Sequence, residues 1–291
     1  MEWREGLSRL LSSVAADNIS GASKLAERAL EEMLDLLEIV PEADVQEAVR
    51  LWAIGLTESQ PSMAPMYTMG RRLTDECLAR GWGRSAVMKA FYACLERLRK
   101  APLEAARMCL GVLRYARDIV TYSRSSQVIL ALKEAREWGG DFFVKISEGR
   151  PMLEGVEAAR ELASLGLRVR LVVDAALPLE LEGADLLLVG ADAVGPSGLV
   201  NKVGTRTLVS EARRLKVPAY AICTSDKWLR GEDESRLRIE EKAPSEVLKD
   251  PPAGVEVSNR YFDRTPLGWF TGFINENGIW ASKEIKGKMG V

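Results

Sequence analysis

Ile119-Val120-Thr121-Tyr122-Ser123-Arg124-Ser125-Ser126 marks the point where the pattern of this chain changes. Its first four residues are β-rich, the next four are polar, and residues 127–138 then place apolar side chains at helical spacing. The same order recurs downstream. Strands are predicted at 142–146, 169–173, 186–189 and 219–223, with helices at 153–165 and 206–215. Strands alternating with helices of this length imply an α/β fold, a doubly wound parallel sheet covered on both faces, with right-handed crossovers.

Upstream the spacing is helical throughout. Residues 3–39 carry a helical pattern interrupted at Asn18-Ile19-Ser20-Gly21, and a second helix is predicted over 43–56. Pro61 and Pro65 bracket a turn; further helices cover 69–79 and 86–116, the last broken at Pro102. The expected organisation is an N-terminal helical bundle, 1–117, followed by the α/β domain, 118–291. The tail is less regular: 259–266 reads as a loop, 269–275 as a helix, and 278–281 as a short run. The charged stretch 230–242 reads as a solvated excursion, with a partner-binding loop as the alternative.

Composition narrows the chemistry. Of 291 residues, 47% are hydrophobic and 28% charged, a globular balance, and the net charge of -2 gives no general attraction to nucleic acid or a membrane. The first residues do not read as a signal peptide and the apolar runs are too short to span a bilayer, so a cytoplasmic protein is expected. The four cysteines form no C-x-x-C pair, and neither a zinc site nor a disulfide framework is expected. The chain has 0 histidines. That excludes a Ser-His-Asp triad, a Cys-His dyad and histidine-ligated metals, and leaves acid–base work to carboxylate, thiol, ammonium or phenol.

Open α/β sheets bind ligands at the carboxyl ends of their strands, which is where this sequence turns polar. Ser125 and Ser126 begin a helix, so their hydroxyls and the free amides suit an oxyanion. Glu148 and Arg150 follow the second strand, and Arg150 could clamp a phosphate through two parallel hydrogen bonds. Asp192 follows the fourth strand and could hold sugar hydroxyls or move protons. Asn201, Lys202 and the helix-opening Gly204-Thr205 come next, and Lys227 follows the fifth strand. Each has a structural alternative: Ser125 as a plain N-cap, Arg150 paired with Glu148 or a neighbouring subunit, Asp192 capping a loop, Lys202 on the surface. Their gathering at one end of one sheet favours a pocket for a small, phosphorylated ligand. Neither G-x-G-x-x-G nor G-x-x-x-x-G-K-[ST] occurs, which argues against dinucleotide and P-loop sites.

Gly190-Ala191-Asp192, Asn201-Lys202-Val203-Gly204-Thr205 and Pro218-Ala219-Tyr220 resemble the signature of the translation initiation factor 2B alpha/beta/delta family. That family includes methylthioribose-1-phosphate and ribose-1,5-bisphosphate isomerases. Glu148-Gly149-Arg150-Pro151 with Gly155, Tyr261 to Pro266, and Ile19-Ser20-Gly21-Ala22-Ser23 fit its other motifs. The resemblance implies a Rossmann-like second domain, assembly into dimers or higher oligomers, and a place for Gly21, Ala22 and Ser23 in the ligand site. It calls for no cofactor. The isomerases end their first strand in Thr-His-Cys, with a catalytic cysteine; here Thr121-Tyr122-Ser123 puts a serine there. Two arginines of the isomerases correspond to Ser20 and Gln60, while the catalytic aspartate position is kept as Asp192. The pattern resembles the initiation-factor branch, particularly its archaeal members. It implies a non-catalytic protein that binds a sugar phosphate or nucleotide and a partner such as initiation factor 2. The alternatives are an isomerase of altered chemistry, using Asp192 and Ser123 or a water, and a ligand sensor unrelated to translation. Trp269, Phe270 and Phe273 read equally as interface or core.

Overall fold

The computed structural model describes residues 2–17, 21–239 and 241–289. Most of the interruption expected at Asn18-Ile19-Ser20, including Ser20 itself, lies outside the described residues. The chain forms two compact units, Met1–Ala101 with Asp226–Arg238, and Pro102–Ser225 with Ile239–Val291. The first is discontinuous in sequence, unlike the product of a single cut at residue 117.

The first unit is helical: α1 (Glu2–Ala16), α2 (Ala22–Ile39), α3 (Val45–Ser59), α4 (Ala64–Arg80) and the first part of α5 (Arg84–Leu113). In α2, Leu25, Ala29, Met33 and Leu37 recur at helical spacing and are buried. Trp52 and Phe91 meet at the centre, ring centroids 5.1 Å apart. Pro65 sits in the first turn of α4, where its missing N–H leaves no bond unmade.

The charged stretch is exposed over most of its length, as a solvated excursion would be, but it is anchored at buried points. Leu229, Asp233 and Leu237, spaced four apart, are buried against the helices. Arg71 pairs with Asp233 at 2.9 Å, the Tyr67 hydroxyl donates to the Arg236 carbonyl at 2.9 Å, and the Arg238 amide donates to the Pro61 carbonyl at 3.1 Å. High charge density conceals this docking in the sequence. The break expected at Pro102 is corrected too: α5 runs unbroken for 30 residues. The proline still removes one helical hydrogen bond, and the division between the units falls there.

In the second unit, β1 (Asp118–Val120), β2 (Phe143–Ser147), β3 (Arg168–Val172), β4 (Leu186–Val189), β7 (Ala219–Ile222) and β9 (Gly272–Asn275) form a parallel sheet in the order β3-β2-β1-β4-β7-β9. This is the doubly wound order of Rossmann-like folds. β10 (Gly278–Ala281) adds an antiparallel edge. Helices α6 (Ser126–Glu137) and α7 (Glu154–Ser164) share one core with the end of α5 through Cys109, Leu113, Leu132, Leu162 and the strand residues Ile119, Val144 and Leu188. Helix α8 (Thr205–Leu215) follows the second, smaller sheet, in which β5 (Ala193–Gly195), β6 (Gly198–Lys202) and β8 (Phe262–Thr265) pair antiparallel.

Three tail expectations change. Residues 272–275 are strand β9 rather than helix, and only Leu267–Trp269 turns helically. Phe273 and Ile274 are neighbours and both buried, as a strand covered on two faces requires and a one-sided helix does not. The loop expected at 259–266 contains β8, which pairs with β6. Phe270 and Phe273 are core residues, rings 5.1 Å apart, while Trp269 is half-buried beneath the Arg206 guanidinium.

Gly155, in the first turn of α7, lets that helix rest on the end of β2. An added Cβ would overlap the Ser147 carbonyl oxygen, which is backbone and cannot swing away. Gly155→Ala should lower stability by about 3 kcal/mol. The check is a urea titration in which the midpoint falls and the slope is unchanged.

Candidate functional site

The sheet order reverses between β1 and β4, and the loops leaving these two strands flank the crevice where such folds bind ligands. Gly190, after β4, lies so close to Ser125 that an added Cβ would overlap its hydroxyl. Ser125 is an N-cap: its oxygen accepts from the Val128 amide at 3.3 Å. Ser126 opens α6 on the exposed side. The Tyr122 hydroxyl donates to the Val203 carbonyl at 2.5 Å, and only a glycine at 204 leaves it room, since an added Cβ would come within 2.7 Å of that oxygen. Burial first, and then the carboxylates of Asp174, Glu154 and Asp263, push the Tyr122 hydroxyl above its ordinary value, so it stays a proton donor.

Ser123 takes a left-handed backbone conformation, φ 61°, unusual for a residue with a Cβ. Its hydroxyl donates to Glu154 Oε1 at 3.1 Å. The same oxygen pairs with Lys202 Nζ at 2.5 Å. Lys202 is only 5% exposed and sits 4.7 Å from the centre of the Tyr261 ring. The surface alternative for this lysine is therefore set aside. Asn201 is also buried and donates to Thr205 Oγ1 at 3.0 Å; Thr205 in turn donates to the Lys202 carbonyl at 2.6 Å. Asn201 and Lys202 lie on β6, which forms a hairpin with β5. Asp192, half-buried, stands between β4 and this hairpin, its amide bonded to the Val200 carbonyl.

Two backbone sites that suit an oxyanion already bond carboxylates of the chain. Asp174 accepts from the amides of Gly149 and Arg150 at 2.9 and 2.7 Å. Asp263 accepts from Gly204 and Arg206 at 2.7 and 3.1 Å, filling the start of α8 that the sequence offered to a ligand. Burial raises the Asp263 carboxyl above its ordinary value, and these amide bonds oppose the rise. Arg150 is exposed and its guanidinium donates to the Val247 carbonyl at 3.3 Å. Glu148, half-buried, holds the chain by its backbone, its amide bonding the Val172 carbonyl.

The structure thus brings Ser123 and Lys202 together through Glu154, and Ser125 up to Gly190. Gly21, Ala22, Ser23 and Lys227 belong to the helical unit. Gln60, at the position of an isomerase arginine, is buried there and ties down the end of α1, its amide donating to the Val14 and Asp17 carbonyls at 2.8 and 3.1 Å. The residue that sequence reasoning missed is Glu154. Acidic residues are ordinary in the first turn of a helix, and nothing in its spacing points at Lys202. Asp263 lies within the Tyr261 to Pro266 motif, where no role was assigned to it. Among the described residues no group of three or more His, Cys, Asp or Glu side chains is placed to hold a metal ion, and no helix is long and apolar enough to cross a membrane.

A helical unit followed by a Rossmann-like sheet, with polar residues at its switch point, defines a class of two-part α/β proteins. The chain belongs to the Initiation factor 2 subunit family, which matches residues 18–282. It is 30% identical over 273 residues to a translation initiation factor eIF-2B subunit 2-like protein of Pyrococcus abyssi, covering 93% of this chain and 94% of the relative. It is 29% identical over 276 residues to the ribose 1,5-bisphosphate isomerase of Archaeoglobus fulgidus, covering 89% and 85%. Among solved structures, translation initiation factor eIF-2B of Pyrococcus horikoshii superposes with a TM-score of 0.79 at 27% identity, covering 94% of this chain and 96% of that one.

Three of the four cysteines are held away from chemistry. Burial pushes the Cys77 thiol up to about 11, and the Cys94 and Cys109 thiols up to about 12. A folded value above the unfolded one, near about 8.5 for a thiol, stabilises the fold fully below the unfolded value and ceases to do so as pH rises through the folded value. Stability should therefore fall as pH rises from about 8.5 towards 11. Cys109→Ala should flatten that descent, read as the urea midpoint at each pH.

Proposed function

We propose that this protein is a non-catalytic regulatory-subunit-like member of its family, which binds a small phosphorylated ligand and a protein partner and acts as a homo-oligomer. The observation that carries the reading is the hydrogen bonding of Ser123. A serine hydroxyl is far less acidic than a thiol and needs a strong base to become a nucleophile. Its partner here is Glu154, whose same oxygen is bonded to the Lys202 ammonium and is already engaged. The chain has 0 histidines to take that role. Similarity to the initiation factor eIF-2B subunit 2-like protein over nearly the whole chain supports initiation factor 2 as the partner.

The isomerase reading keeps two supports. Asp192 stands after β4 at the switch point, where the family's catalytic aspartate belongs, and a named isomerase aligns over most of the chain. Turnover separates the two readings. The purified protein should leave ribose 1,5-bisphosphate and methylthioribose 1-phosphate unconverted; conversion that disappears on Asp192→Asn would establish the isomerase instead.

The partner claim is tested by pull-down with purified initiation factor 2, with and without sugar phosphates. Retention in at least one condition is expected, and absence in all of them removes the claim. In a thermal-shift screen, a phosphorylated ligand at a hundred times its Kd should add about 2.7 kcal/mol of stability, visible as a raised Tm.

A further inference from the structure

We infer that Glu154 sets the ligand specificity of the α/β unit: it holds the place of an anion on Lys202, and the pocket takes a ligand with one anionic group rather than two. This rests on the reading that the pocket binds a phosphorylated ligand.

The groups that could receive phosphate oxygens are nearly all engaged by the chain's own carboxylates. The amides of Gly149 and Arg150 hold Asp174, and those of Gly204 and Arg206 hold Asp263. Lys202 holds Glu154. The arginines of the strand-end loops are directed elsewhere: Arg124 pairs with Glu161 at 3.0 Å, and Arg150 reaches the Val247 carbonyl. Among the described residues at these strand ends, Lys202 is the buried cation, and its pairing is the simplest to exchange. Asp174 and Asp263 each accept two backbone amides, which cannot follow a carboxylate that leaves.

Glu154 differs from them. It is a flexible, partly exposed side chain in the first turn of α7, and its second carboxylate oxygen, Oε2, is buried without a hydrogen-bond partner. A phosphate oxygen can replace Oε1 on the Lys202 ammonium without any backbone movement. Ser123 then loses its acceptor and becomes a donor to the same phosphate. The displaced carboxylate remains beside the pocket as an acceptor for sugar hydroxyls. A second phosphate would meet Asp174, Asp263, Asp192 and the displaced Glu154 with no second buried cation, and like charges in a partly desolvated site repel strongly.

The test measures binding of ribose 5-phosphate and ribose 1,5-bisphosphate by titration calorimetry to the full wild-type chain, Glu154→Gln and Lys202→Met. The wild type should bind the monophosphate at least as tightly as the bisphosphate. Glu154→Gln, which keeps an acceptor for Lys202 but removes the competing charge, should tighten ribose 5-phosphate about tenfold. Lys202→Met should abolish binding. A bisphosphate bound more than about tenfold tighter than the monophosphate, or unchanged or weaker binding by Glu154→Gln, overturns the inference while leaving the ligand-binding reading in place. The wild-type comparison decides the matter even if a variant does not fold. If neither compound binds the wild type or Glu154→Gln, the ligand-binding reading itself falls, and the inference with it.

Discussion

The strand ends of the α/β unit are organised by one buried charge, the ammonium of Lys202. An ion taken out of water is costly unless a counter-ion and hydrogen bonds replace its hydration; removing one partner of a buried pair typically costs about 3–5 kcal/mol. Lys202 meets that requirement through Glu154 from α7 and the Tyr261 ring at the start of β8, while Ser123 from the β1 loop shares the same carboxylate oxygen. Four segments distant in sequence are therefore held in register around one atom. The hairpin of β5 and β6, which carries the lysine, is pinned on its other edge by β8.

A second consequence concerns charge. Glu154, Asp174 and Asp263 lie close enough to Tyr122 to raise its hydroxyl, so the crevice is acidic although the resemblance suggested a phosphate site. Asp174 and Asp263 are satisfied by backbone amides and serve as internal anions that fix the loops after β2 and before α8. The loops have engaged most of the backbone donors that the sequence offered to an anion. What remains exchangeable is side chain to side chain.

The fold was largely legible in the sequence because periodicity reports burial directly. The five parallel strands from 118 to 223 and the helices between them alternate as such a sheet demands, and all appear within a residue or two; the antiparallel β5 and β6 were not foreseen. The tail was misread at β9, where Phe273 and Ile274 are apolar neighbours without a period, and only the free edge of β7 decides between helix and strand. Within 230–242 the buried anchors were missed for a different cause: the charges are visible in the sequence, while Asp233 and Leu237 gain their meaning only from the helices they meet. In the site, Asn201 and Lys202 were recognisable through their motif. Glu154 was not, because an acidic residue in a first helical turn has an ordinary explanation that needs no partner.

The exchange of thiol for hydroxyl at Ser123 acquires its weight from these neighbours. A cysteine at this position could work as a thiolate, since its ordinary value lies near about 8.5. A serine gains little from an ammonium that a carboxylate already neutralises. The same Glu154 that weakens the case for a nucleophile gives the serine a defined orientation and gives the lysine a counter-ion in the absence of ligand. The hydroxyl of Ser123 and the ammonium of Lys202 therefore meet on one internal carboxylate oxygen, and any group that enters the crevice at this point has to displace that oxygen to reach either of them.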